Sequence, residues 1–178
     1  MSKLILIKPS EEFIEEIQNF RNEFLKDSST IDGSGMLHNF EDIQVWLETT
    51  RLMKKKETLP NPNWVTSDQY MLIQEGETRI LGMINFRHYL NDFLLEEGGH
   101  IGYGVRPSER RKGYAKAMLN LCLEKCRKMK LDKVLLTCDD NNEGSRHTIE
   151  ACGGKFDCMA KEKNERGTET ARFWINLD

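Results

Sequence analysis

Hydrophobic and polar positions along this chain recur with two periods, and the changes of period divide it into elements. Leu4 to Ile7 is a branched-aliphatic run closed by Pro9 and predicts a first strand. Ser10 then stands as a helix cap, with Glu11 and Glu12 suited to the positive end of the helix dipole. Phe13, Ile14, Ile17, Phe20 and Phe24 recur at helical spacing and make one apolar face. Turn formers fill 27–38, and a second helix after Asn39 carries Phe40, Ile43, Trp46 and Leu47 inward. Lys54, Lys55 and Lys56 suit the negative end of that helix.

Pro60 and Pro62 mark a connecting loop over 57–68. Strands over 69–74 and 78–89 follow, joined by Glu75-Gly76-Glu77 as a hairpin turn. After a polar interruption at 91–97, His100 to Val105 reads as a further strand. Ile101, Tyr103 and Val105 point one way from it, and His100, Gly102 and Gly104 the other. Two glycines on one face leave room for something to lie against the backbone. The helix after Gly113 places Ala115, Met118, Leu119, Cys122, Cys126 and Met129 on one side. Lys133 to Cys138 is apolar enough for a buried parallel strand. Another helix runs from about Gly144 to Cys152 and is stopped by Gly153-Gly154. Strands over 155–162 and 168–176 close the chain. The order β-α-α-β-β-β-α-β-α-β-β predicts an α/β (α+β) fold, with a mixed sheet and helices on both its faces.

A length of 178 residues suits one domain, taken as 1–178. The net charge of -3 argues against a dedicated nucleic-acid binder, which needs many phosphate-neutralising cations. The five cysteines are odd in number and scattered, so they form neither a disulfide framework nor a metal knuckle. Cys122 and Cys126, one helical turn apart, suit a buried helix face better than a shared metal, and no metal site is expected. The N-terminal apolar run is too short for a signal peptide or a membrane span, so a cytoplasmic location is expected.

The candidate chemistry lies at Gly102 to Ala115, where a strand ends in a basic turn that opens into a helix. A helix start presents unpaired N–H groups and a positive dipole end, which suit a phosphate. Arg110, Arg111 and Lys112 add three consecutive cations beside it. No GxxxxGK[ST] occurs, and Gly102-Tyr103-Gly104 lies within the strand, so neither a Walker loop nor a dinucleotide fingerprint fits.

Arg110-Arg111-Lys112-Gly113-Tyr114-Ala115 resembles the R/Q-x-x-G-x-G/A pyrophosphate turn of the GCN5-related N-acetyltransferases (GNAT). Asn142 and, three positions on, Ser145 match the asparagine and small residue that follow the next strand in that family. Gly153 matches the glycine ending the next helix, and the run from Gly99 to Ala115 looks most like a bacterial subgroup of predicted acetyltransferases. The resemblance implies a mixed, mostly antiparallel twisted sheet of about seven strands flanked by about four helices. It implies acetyl-CoA as cofactor, with the amides of residues 111–115 on the pyrophosphate. Tyr103, Gly104 and Val105 would pair with the pantetheine arm, and Asn142 and Ser145 would contact it. Asn142 also suits a plain helix cap.

The implied activity is transfer of an acetyl group to a primary amine of a small molecule or peptide, directly and through a tetrahedral intermediate. A backbone N–H near Val105 would serve the oxyanion, as in the family. Glu96, Glu97 and His100 are candidate bases, because they precede or lie on the central strand. Many relatives place a proton-donating tyrosine seven residues after the asparagine, but Ile149 stands there. Ser145, Tyr103 or a water is left for that role. The variable N-terminal half is expected to bind the acceptor, with Asp32, His38 and Trp64 as candidates. A monomer or homodimer is expected, with no nucleic-acid or membrane partner. Loss of the tyrosine also suits a catalytically silent acyl-CoA-binding or regulatory module.

Overall fold

The computed structural model describes residues 2–178. The strands are β1 (Leu4–Ile7), β2 (Ser67–Gln74), β3 (Gly82–Arg87), β4 (Ile101–Val105), β5 (Lys133–Asp139), β6 (Lys155–Met159) and β7 (Thr170–Asn176). The helices are α1 (Ile14–Asp27), α2 (Ile43–Leu52), α3 (Asp92–Glu96), α4 (Tyr114–Lys128) and α5 (Glu143–Ala151). The expected strands and their order are present. The extra helix, α3, is a single short turn in the polar interruption, capped by Asn91, whose side chain accepts from the Leu94 N–H.

The strands form two antiparallel sheets, β1-β2-β3-β4 and β5-β7-β6. β5, read from its apolar run as parallel, has an antiparallel ladder with β7 instead. Its apolar character comes from burial of Val134, Leu135 and Leu136, not from parallel pairing. The two sheets touch at His100. Its N–H donates to the Leu135 carbonyl at 2.7 Å, and its ring Nδ1 accepts from the Leu135 N–H at 2.9 Å. An imidazole here replaces a backbone acceptor, and beyond it no ladder joins β4 to β5.

The first sheet is covered on both faces because β2 and β3 are apolar at successive positions. Met71, Ile73 and Met83 face α1 and α2, packing with Ile17, Phe20, Phe24 and Trp46. Tyr70, Leu72, Ile84 and Phe86 face α4 and share a core with Val134, Leu136 and Phe173 of the second sheet. α4 therefore packs against both sheets at once.

Some local readings shift. Ser10 caps no helix by a side-chain bond; its hydroxyl binds Glu12 instead. α2 begins at Ile43, later than expected, because Asp42 caps it through the Gln44 N–H at 2.8 Å. Phe40 thus packs from the preceding loop, and Lys54–Lys56 lie beyond the helix end. Among the described residues no helix is long and apolar enough to cross a membrane.

Candidate active site

Helix α1 sets the position of the basic turn. Arg106, only 4% exposed, closes β4 and pairs with Glu16 and Glu23 of α1. The Ser108 N–H donates to Glu23 at 2.7 Å, and Arg110 pairs with Asp27 at 3.0 Å. Burial pushes the Glu23 carboxyl up, but hydrogen bonds from Ser108 and Arg106 outweigh it and hold the group at about 2.

The turn then opens into α4 without a side-chain cap. Among the described residues, no protein acceptor meets the amides of residues 111–116. Gly113 has φ 83°, and a Cβ added there would meet nothing within 4 Å. The turn is a row of amides facing open space, a shape that accepts an anion. Its cations are not equivalent. Arg110 is held by Asp27 and Lys112 by Glu109, while Arg111 makes no ion pair among the described residues. A cleft of about 600 Å³ runs from this turn along β4 to α5, lined by Gly113, Tyr114, Val105 and Ser145 among others.

The ladder register explains how β4 offers an edge to that cleft. The Arg106 N–H bonds the Leu81 carbonyl, and the Arg87 N–H bonds the His100 carbonyl. Hydrogen-bonded pairs therefore fall at Gly102 and Gly104, and the N–H groups of Tyr103 and Val105 point away from β3. The two glycines do leave room, and the chain's own loop takes it. A Cβ on Gly104 would stand 2.7 Å from the Asp32 carbonyl oxygen, and one on Gly102 3.5 Å from Gly33 Cα. That loop is anchored by the Trp46 indole N–H on the Ser34 carbonyl and the Gln69 amide on the Gly33 carbonyl, each at 2.8 Å.

Where the loop crosses β4, the clefts meet. A second one, of about 300 Å³, shares Asp32, Tyr103, Asn142 and Ser145 with the first. The Tyr103 hydroxyl lies 3.0 Å from Ser145 Oγ. Burial, only partly offset by that bond, pushes the Tyr103 phenol up to about 12, so it keeps its proton at neutral pH. Asn142 caps α5 by accepting from the Ser145 N–H at 3.0 Å, which fixes the Ser145 backbone. A third cleft, of about 380 Å³, lies beyond the loop and contains Asp32, His38 and Trp64 together.

A family model described as the acetyltransferase (GNAT) family matches residues 36–153. The chain belongs to that family. Its enzyme class, acetyltransferase, and the acetyl-CoA cofactor expected from the sequence stand with it. Among curated proteins no sequence matches. Solved structures share the GNAT fold at low identity. The microcin C7 self-immunity acetyltransferase, a complex with acetyl-CoA and AMP, has a TM-score of 0.72 at 14% identity, over 98% of this chain and 92% of that chain. A Salmonella typhimurium acetyltransferase that modifies the N-terminal serine of ribosomal protein L7/L12 has a TM-score of 0.72 at 11% identity, over 100% and 97%. A spermidine N-acetyltransferase chimera from Vibrio cholerae has a TM-score of 0.67 at 17% identity, over 99% and 96%.

The residues of this GNAT chain fit acetyl-CoA. All the residues expected to bind it, except Lys112, line the cleft at the turn. Of the expected catalytic groups, Ser145 lies at the junction and Glu97 lines the smaller cleft. Glu96 instead binds the Lys161 N–H. His100 is buried at the join of the sheets, outside the clefts; burial, then the Arg87 charge, pushes its imidazole down to about 4. Ile149 is wholly buried in the core, so the position of the usual tyrosine offers the cleft nothing. Cys122 and Cys126 are likewise buried core residues. Sequence reasoning missed Glu16 and Glu23, which read as solvated helix surface. It also missed Arg87 and Arg166, which line the smaller cleft. An arginine directly after the largely apolar stretch Gly82 to Phe86, interrupted only by Asn85, was the one available signal for Arg87.

Proposed function

We propose that this chain is a single-domain N-acetyltransferase that moves an acetyl group directly from acetyl-CoA to a primary amine at the junction of the three clefts. One observation carries the reading: Asp32 lines all three clefts, and the Tyr103–Ser145 pair lies where the cofactor cleft meets the smaller one. Bound acetyl-CoA supplies an activated thioester whose thiol is a good leaving group.

The amides of residues 111–116, with Arg111, hold the pyrophosphate. The Tyr103 and Val105 N–H groups, turned away from β3, would hold the pantetheine arm as an added strand does, and the Val105 N–H would be the donor for an oxyanion. Asp32 holds the acceptor ammonium and takes its proton. The Tyr103 hydroxyl, hydrogen-bonded to Ser145 and protonated at neutral pH, would be the proton donor for the leaving thiol in place of the tyrosine absent at Ile149. His100 has no part in the chemistry; it joins the sheets.

The test is thiol release from acetyl-CoA across a panel of amino acids, polyamines, aminoglycosides and peptides. Amine-dependent release establishes the transferase. CoA binding without release on any amine marks a silent CoA-binding module instead.

A further inference from the structure

Arg87 is a half-buried cation with no carboxylate of its own. Its Nη1 donates to the Gly98 and Gly99 carbonyls at 2.9 and 3.2 Å. Its other two nitrogens have no protein acceptor, and it makes no ion pair among the described residues. The neighbouring cation, Arg166, is by contrast neutralised, lying 2.8 Å from Asp139 and 4.0 Å from Asp32. Desolvation pushes the Arg87 guanidinium down to about 10, with the Asp32 charge opposing it. A desolvated charge left unpaired calls for an anion.

Its place says which molecule brings that anion. Arg87 and Asp32 line the same two clefts, the smaller one and the one beyond the loop. Nη2 of Arg87 would stand 3.3 Å from a Cβ on Gly102, so the guanidinium lies against β4 at Gly102. Asp32 is the one carboxylate lining the cleft beyond the loop, whose walls also include Met36, Met53, Trp64 and Phe93. In that cleft a polyamine would meet a single carboxylate and the opposing Arg87 charge. We infer that the acceptor is a free amino acid, its ammonium on Asp32 and its carboxylate on the Arg87 guanidinium. This rests on the acetyltransferase reading above. The paired charges are those of a zwitterion, and a bidentate carboxylate on Arg87 would set the amine beside the acyl group.

The experiment compares matched acceptors on the full chain. Phenylalanine, leucine and methionine suit the apolar walls, and each is assayed against its primary amide, with spermidine and putrescine as polycations. Thiol release gives kcat/KM for every acceptor, and calorimetry on the CoA-saturated protein gives the affinity of each acid and amide. The acids are expected to exceed their amides by about 10- to 100-fold in both readouts. Arg87→Gln is expected to remove that preference and Arg87→Lys to keep part of it. Equal use of acids and amides, or preference for a polyamine, overturns the amino-acid inference while leaving the acetyltransferase reading intact. Release with none of these amines, nor with any of the wider panel, overturns both.

Discussion

The backbone of Gly33 lies directly against that of Gly102: a Cβ on Gly33 would stand 2.3 Å from the Gly102 carbonyl oxygen. This contact brings Asp32 to the clefts, because the loop and β4 meet with no side chain between them. Gly33 also has φ 69°, a left-handed conformation costly to other residues. Gly33→Ala is therefore expected to destabilise the fold by about 3 kcal/mol, from strain and overpacking together. Denaturant unfolding measures it, and a loss below about 1 kcal/mol would show that the loop is not pinned.

Gly113 has the same backbone hand but open space around it. Gly113→Asp should cost only about 1 kcal/mol in stability, the strain of a left-handed residue. It sets a carboxylate where the turn is proposed to hold the pyrophosphate, so CoA affinity should fall by about 100-fold or more. Calorimetry with CoA checks this. Unchanged affinity would remove the turn from the cofactor site.

Tyr103→Phe deletes one hydroxyl and keeps the ring. If that hydroxyl assists the leaving thiol, kcat should drop about 10- to 100-fold. The CoA dissociation constant should stay within about twofold, since the turn is untouched. Ser145→Ala, which removes only the partner, should cost less. An unchanged kcat in Tyr103→Phe would transfer the role to a water.

Acid should destabilise this protein over two pH windows. The His100 imidazole sits at about 4 in the fold, below its ordinary 6.5, because its burial disfavours charge and the Arg87 cation adds to that. Between those values the unfolded chain binds more protons. Stability present above pH 6.5 is therefore lost as pH falls toward 4, by about 3 kcal/mol. Glu23, held at about 2 against an ordinary 4.5, adds a further loss as pH falls through that lower window. Chemical denaturation from pH 7 to 3 tests both. His100→Gln should flatten the upper window, and Glu23→Gln the lower.

The turn from Arg110 to Ala115 and the Asn142–Ser145 spacing were legible along the chain because both are local. A helix start needs only consecutive residues to expose its amides, and an asparagine cap acts over three positions. Periodicity likewise placed the strands, since each has to bury a face whatever its partner. The N-terminal half, expected to bind the acceptor, was legible only as a set of candidates. Asp32, His38 and Trp64 do line one cleft, but nothing in their spacing says so.

Arg106, Arg87 and His100 show why the rest had to await the fold. Arg106 reads as part of a basic run, yet it is spent on Glu16 and Glu23, far off in sequence. His100 reads as a base on the central strand, yet it joins two sheets by standing in for a backbone acceptor. Arg87 reads as a polar position within a strand, yet among the described residues it is a cation with no carboxylate partner. The local order of the chain was enough to write the acetyl donor, because a cofactor turn is built from neighbours. Which charges stay unpaired at the clefts was decided only when β3 and the loop at Asp32 met against β4 in space, where desolvation acts on them.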